Sequence, residues 1–319
     1  MSYEKKINDS TLFNFYEYKI HQKIDNINLF GTLITPKNNY DKVVFIVPGS
    51  GKDTRHSHFL LTEYLLKNEI AVFRYDERGV GKSEGKNDVF YTINDMSNDF
   101  QAIVNELITT DKFINKKIGF LGHSYGGLVT IEAIEKGLKC DFIIQWATPV
   151  EKISELFKYQ IKTEINKQEK NLQYDNDEIK FRVIDSISNI IERNKTLDDK
   201  TLRNVIYIEM KKYGYKKNDF GWFITFSSYL ELLKKDYITT YKKITIPTLY
   251  LIGTNDNYVN PNSNTSILKK INNPKIEIKI FDSLNHYLTN SKKLDLNTSI
   301  YEIDEYAKKY IMEWIKFIN

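Results

Sequence analysis

Few folds accommodate the run Gly119-Phe120-Leu121-Gly122-His123-Ser124-Tyr125-Gly126-Gly127. An apolar strand over residues 117–121 leads straight into Gly122-His123-Ser124-Tyr125-Gly126, and an apolar helix opens at Gly127-Leu128-Val129. This is a G-x-S-x-G pattern set between a strand and a helix. A serine on so sharp a turn presents its hydroxyl outward only if the backbone bends through a strained conformation. Side chains two residues before and two after would collide at the bend, and glycine has none. The N-terminus of the following helix points at the serine and favours developing negative charge. The plain alternative is a glycine-rich turn holding an inert serine, because a bare five-residue pattern recurs by chance. Its partners along the chain decide between the two.

Around this stretch, strands alternate with helices. Residues 43–47 and 70–75 are continuous apolar runs, as strands buried on both faces of a sheet read. Residues 142–146 and 248–253 add two more, and 275–281 the last. Helices are predicted over 57–67, 93–109 (capped by Asn94 or Asp95), 261–271 and about 300–317. Upstream, residues 13–20 and 27–34 read as an antiparallel pair turning at Asp25-Asn26. The pattern implies an α/β fold, a mostly parallel sheet with helices on both faces. After Pro149 the texture changes: no glycine appears before Gly214 and Gly221, and apolar residues fall at helical spacing. Residues 150–240 are therefore expected to form an inserted helical lid over the carboxyl ends of the strands, with 1–149 and 241–319 as the core. Its aromatics, Phe157, Tyr159, Trp222, Phe223, Phe226 and Tyr229, are candidates for a substrate pocket, although ordinary core packing explains any one of them.

A net charge of +4 on 319 residues, with lysines interspersed among acids, leaves no electrostatic footprint for nucleic acid and no polybasic membrane signal. The single cysteine, Cys140, cannot form an internal disulfide and reads as a small core residue opening a strand. No cluster has metal-ligand spacing, and no Walker or dinucleotide-binding glycine pattern occurs, so no metal or cofactor is expected. With no apolar leader and no run long enough to span a bilayer, a soluble cytoplasmic protein without stable membrane insertion is expected.

A serine hydroxyl is a poor nucleophile at neutral pH and needs a base, which in turn needs an orienting carboxylate. Five histidines make elimination practical. His21 lies in the first strand, His56 and His58 start the helix after residue 55, and His123 precedes the serine with its side chain expected to point away. His286 alone follows both the serine and a strand-end carboxylate, just past the last strand. Asp256, three residues after Gly253, is the preferred acid; Asp282 is close to His286 in sequence, which hinders its approach to the ring. The order Ser124, Asp256, His286 is that of the Ser…Asp…His hydrolases. The loop Gly49-Ser50-Gly51-Lys52-Asp53-Thr54-Arg55 holds small residues whose N–H groups can approach a bound oxygen. The backbone N–H groups of Ser50 and Tyr125 are thus the expected oxyanion donors, although Ser50 also reads as a plain turn residue. Asp76 and Arg78, in a charged loop with glycine hinges, read as structural.

Over nearly its full length the chain resembles the α/β-hydrolase superfamily. Gly122-His123-Ser124-Tyr125-Gly126-Gly127 is similar to its nucleophile elbow, and Tyr75-Asp76-Glu77-Arg78-Gly79-Val80-Gly81-Lys82-Ser83 to its Y-D-x-R-G-x-G-x-S loop. Gly253-Thr254-Asn255-Asp256 and Asn285-His286 match its acid and base segments. Pro48-Gly49-Ser50-Gly51 with Arg55 resembles the G-S-G-P-x-D-R loop of certain bacterial esterases, but Lys52 replaces the proline and Thr54 stands at the aspartate position. The segment with Trp222, Phe223 and Tyr229 is also similar to that group. The resemblance implies a cofactor-free carboxylic ester hydrolase acting on a small-molecule acyl substrate, and Arg55, Trp222 and Phe226 are candidate substrate contacts. A thioesterase or acyltransferase, a small-lid aminopeptidase, and a catalytically silent receptor on the same fold are the alternatives. The oligomeric state is not legible in the sequence.

Overall fold

Strand β3 (Lys42–Val47) is buried at every position, and so are β4 (Ala71–Tyr75), β6 (Phe142–Trp146) and β7 (Thr248–Gly253). Strands this apolar have no solvated face, so helices must cover both sides. The computed structural model of the chain describes residues 5–88, 91–165, 172–290 and 302–318. It contains one sheet of eight strands in the order β1-β2-β4-β3-β5-β6-β7-β8. The remaining strands are β1 (Phe13–Gln22), β2 (Ile27–Pro36), β5 (Lys117–His123) and β8 (Ile276–Phe281). The β1/β2 and β2/β4 pairs are antiparallel and all others parallel. This is the α/β architecture expected from the alternating pattern.

The strand order places the site. From β3 the chain steps outward to β4, then returns past β3 to β5. Ligands bind where such a doubly wound sheet reverses direction, beyond the carboxyl ends of the strands. Val47 of β3 pairs with Gly122 of β5, so the loops that leave these two strands start side by side. Beneath them Phe45, Phe100 and Phe120 form a core of edge-on rings, with centroids 6.0 Å apart for Phe45–Phe120 and 4.9 Å for Phe100–Phe120. Each such buried ring contributes about 1.5–3 kcal/mol.

Helix α1 (Phe59–Lys67) starts two residues later than expected, because His58 sits in the left-handed region at φ 54° and ends the helix N-terminally. Helix α2 (Ile93–Leu107) is capped by Thr92 rather than by Asn94 or Asp95. The Thr92 hydroxyl accepts the Asp95 N–H, and the Asp95 carboxylate accepts the Thr92 N–H in return, so Asp95 serves as the third residue of a capping box. Helix α3 (Tyr125–Glu135) follows β5 directly. Among the described residues, six helices lie between β6 and β7: α4 (Ile153–Lys162), α5 (Asp177–Asn194), α6 (Asp199–Lys212), α7 (Lys217–Thr225), α8 (Ser227–Lys234) and α9 (Ile238–Lys243). Helix α10 (Pro261–Ile271) separates β7 from β8. Helix α11 (Glu305–Phe317) starts later than residue 300, capped by Asp304, whose carboxylate accepts the N–H groups of Tyr306 and Ala307. Residues 300 and 301 lie outside the described residues. Among the described residues no helix is long and apolar enough to cross a membrane.

Two ion-pair networks, centred on the buried Asp76 and Asp99, hold the loop after β4. The Asp76 carboxylate accepts the Arg55 N–H, Nε and Nη2 at 2.8, 3.1 and 2.7 Å, and also the Lys82 N–H at 2.8 Å. Arg78 donates to Asp99 and Asp25 at 2.5 and 2.7 Å. Both residues are structural, as their glycine-hinged setting implies. The chain just before α9 is tied to α3 at Glu132, which accepts Tyr237 Oη at 2.9 Å and Lys235 Nζ at 2.8 Å.

Candidate active site

Ser124 stands between the last residue of β5 and the first of α3, at φ 53° and ψ −115°. An L-residue there is strained, and the strain is held by two backbone bonds: Ser124 N–H to Trp146 O at 2.7 Å and Gly127 N–H to Ser124 O at 3.0 Å. The bend is as tight as the glycines imply. A Cβ on Gly122 would stand 2.5 Å from the Gly126 carbonyl oxygen. Helix α3 starts at Tyr125, so the positive end of its dipole faces the region of the serine.

Asp256 and His286 come from the ends of β7 and β8. His286 Nδ1 and Asp256 Oδ2 are 2.8 Å apart, with both side chains almost fully buried. The other carboxylate oxygen, Oδ1, accepts the N–H groups of Tyr258 and Val259, each at 2.8 Å. These bonds orient the carboxylate before any substrate arrives. The rival acid, Asp282, instead accepts the Thr254 hydroxyl at 3.3 Å. Gly253 lets the two loops touch: a Cβ there would lie 2.0 Å from the Leu284 carbonyl oxygen. Asn255 N–H donates to that same carbonyl at 2.9 Å.

Ser124 and His286 line one cavity of about 580 Å³, together with Ser50 and Tyr125. One wall is apolar, from Ile153, Leu156 and Phe157 of α4, Leu232 of α8, and Val259. Lys52, Asp53 and Tyr287 also line the cavity. The three substrate contacts expected from the lid and loop are elsewhere. The Arg55 guanidinium is buried under the sheet edge, held by Asp76, by Glu17 at 2.6 Å and by Thr32 at 3.2 Å. Trp222 is 55% exposed on the outer side of α7, in a shallow depression with Tyr207 and Lys217. Phe226 packs between Trp222 and Tyr229 and is not among the cavity's lining residues. Of the six aromatics singled out in the inserted segment, Phe157 and Tyr229 line the cavity.

The structure also shows residues that the sequence reading passed over. His123 does not point away. Its ring stacks on Trp146 at 4.4 Å, lies 5.0 Å from the His286 ring and lines the cavity. Tyr258 and Tyr287 also pack against His286, at 4.7 and 5.3 Å between ring centroids. The signal for Tyr258 was present: an aspartate that caps the N–H groups two and three residues on brings those residues back beside its own carboxylate. Behind His123, the His58 ring closes a 3.0 Å contact between His58 Nε2 and His123 Nδ1. Burial and the nearby Arg74 charge hold His58 down to about 4. Burial, then the charges of His286 and His58, hold His123 well below the usual imidazole range.

These two imidazoles make the fold acid-sensitive. In the unfolded chain each takes up a proton near pH 6.5, whereas the folded site excludes it, so the unfolded state binds more protons as pH falls. Stability is untouched above about pH 6.5 and is lost as pH falls from there toward about 4. For His58 alone the loss is roughly 2 kcal/mol by about pH 5. Urea midpoints at about pH 7.5 and pH 5 measure it. His58→Gln, which keeps a polar partner but does not titrate, is expected to reduce the drop by that amount; an unchanged drop would refute the assignment.

A profile of the family described as serine aminopeptidase, S33, matches residues 38–293. No curated protein matches the chain. Among solved structures, an esterase of Pyrococcus furiosus is 20% identical with a TM-score of 0.60, over 98% of this chain and 96% of its own. Est1E of Butyrivibrio proteoclasticus, solved with ferulic acid bound, is 19% identical with a TM-score of 0.58, over 94% of this chain and 98% of its own. A proline iminopeptidase of Mycobacterium smegmatis is 13% identical with a TM-score of 0.59, over 94% and 98% respectively. With its fold shared over nearly the full length and the family profile covering most of its residues, the chain belongs to the serine aminopeptidase S33 family of α/β hydrolases.

Proposed function

We propose that this protein is a serine hydrolase that cleaves a carboxylic ester of a small or medium acyl group. The observation that carries the reading is the buried 2.8 Å pair of His286 and Asp256, with His286 lining the same cavity as a serine on a strained elbow. Asp256 accepts from Nδ1, which leaves Nε2 of His286 as the base for the Ser124 proton. Ser124 Oγ then attacks the acyl carbonyl. The oxyanion forms against the backbone N–H groups of Ser50 and Tyr125, both at the cavity. The imidazolium returns its proton to the departing alcohol oxygen, and water cleaves the acyl-enzyme by the same path. The wall of Ile153, Leu156, Phe157 and Leu232 supplies apolar surface for the acyl chain.

One observation favours a second reading, cleavage of an aminoacyl amide. Asp53 is buried and lines the cavity beside the Ser50 loop. A carboxylate there suits a substrate ammonium group. The two readings separate on a series of chromogenic acyl esters, short to long, run beside aminoacyl amides. Faster turnover of esters, with an optimum at short or medium chain length, supports the first reading; amide turnover that requires a free amine supports the second. If neither class turns over and a fluorophosphonate leaves Ser124 unlabelled, the hydrolase reading fails.

A further inference from the structure

Helix α4 and the residue that caps its C-terminus, Thr163, meet the loop that carries Asp256 at three successive carbonyl groups. Tyr159 Oη donates to the Asp256 carbonyl oxygen at 2.7 Å. Thr163 Oγ1 donates to that of Asn257 at 2.6 Å. Gln160 Nε2 donates to that of Tyr258 at 3.2 Å. On the inner side of the same loop, the Asp256 carboxylate holds the Tyr258 and Val259 N–H groups and His286. The loop therefore has no slack: its inward N–H groups are bound by its own aspartate, and its outward carbonyls by one helix of the inserted segment.

The other stripe of α4 faces the cavity. Ile153, Leu156, Phe157 and Gln160 line it, at the i, i+3, i+4, i+7 spacing of a single helix face. Tyr159 and Thr163, four apart, lie on the adjacent face. One rigid helix thus touches the acyl wall on one side and the acid loop on the next. Burial, with the nearby Asp256 and Glu151 charges, pushes the Tyr159 phenol up to about 12, so it remains a neutral donor at working pH.

We infer that Tyr159 and Thr163 are positioning residues, and that docking of α4 sets the alignment of Asp256 with His286. The inference rests on the proposed roles of Ser124, Asp256 and His286. Its consequence is that α4, which lines the cavity, is part of the catalytic scaffold. Hydrogen bonds of this supporting kind act through geometry, because a misplacement of the base of about 1 Å costs on the order of a hundredfold in rate.

The test is the double variant Tyr159→Phe/Thr163→Val, which removes two donors and keeps the bulk of both side chains. kcat on the best substrate is expected to fall on the order of thirtyfold, with KM changed less than about twofold. Thr163→Ser, which keeps the hydroxyl, is expected to retain wild-type kcat. Proton NMR reads the pair directly: the downfield Nδ1–H resonance of His286 in wild type is expected to broaden or move upfield in the double variant. A double variant whose kcat and downfield resonance both match wild type would overturn the inference. So would a loss of kcat that Thr163→Ser shares, or one accompanied by an unchanged resonance and a proportionate fall in melting temperature. If wild type turns over neither esters nor amides, the functional reading fails, and the resonance comparison alone still decides whether α4 positions the pair.

Discussion

Ser124→Ala is expected to lower kcat by about five orders of magnitude while leaving KM within about twofold. In the proposed mechanism, removing the nucleophile removes the covalent route entirely, and the proposed oxyanion donors and apolar wall would sustain only a residual rate. The loss should not come from unfolding. Alanine carries the same Cβ into the same φ of 53°, and the two bonds that hold the bend involve only backbone atoms. Melting temperature should therefore stay within about 2 °C of wild type. Steady-state kinetics on the preferred ester, with a melting curve on the same preparation, decide the point. A variant that keeps more than about one-hundredth of the wild-type rate would exclude Ser124 as nucleophile. If the protein's biological effect survives in this variant although turnover is gone, the protein acts as a receptor on a hydrolase fold.

What the chain reveals before folding follows the range of the forces involved. The elbow is legible because its constraint is local: five residues must fit one bend, and only glycine fits at two of them. The fully buried strands are legible because coverage on both faces leaves few polar residues in them, such as Arg74 of β4 and Gln145 of β6. Asp256 and His286 are legible through order and strand ends, although only three-dimensional contact sets Asp256 above Asp282. Arg55 misleads for the opposite reason. A cation after a glycine loop resembles a ligand contact, but its partners Asp76 and Glu17 lie 21 and 38 residues away and reach it only through the sheet. Trp222 misleads despite a usable signal. Phe220, Phe223 and Ile224 define the buried face of α7 at i, i+3 and i+4, and Trp222 falls outside that phase. The α4 contacts were beyond reach, since they join side chains of one helix to backbone carbonyls almost a hundred residues later, and carbonyls leave no trace in a sequence.

Gly126→Ala is expected to cost at least about 4 kcal/mol of stability, whereas Gly221→Ala should add about 0.5–1 kcal/mol. Both glycines lie in helices, so propensity alone favours alanine at each. The difference is what the new methyl meets. At Gly126 a Cβ would stand 2.2 Å from the carbonyl oxygens of both Val47 and Pro48. Neither oxygen is at the end of a flexible side chain: both are backbone, one on the last residue of β3 and one on the residue after it, and β3 is fixed by pairing with β4 and β5. Relief requires α3 to move away from β3, which strains the Ser124 bend and separates the Tyr125 N–H from the Ser50 loop. At Gly221 the nearest atoms are 3.7 Å away, on the Lys217 and Tyr207 side chains, so the methyl adds contact without displacement. Urea unfolding of the two variants, with equal m-values, measures both effects in one unit. An alanine at 126 that unfolds within about 1 kcal/mol of wild type would show that α3 and β3 can part there, and the tight elbow would then contribute little to holding the serine in place.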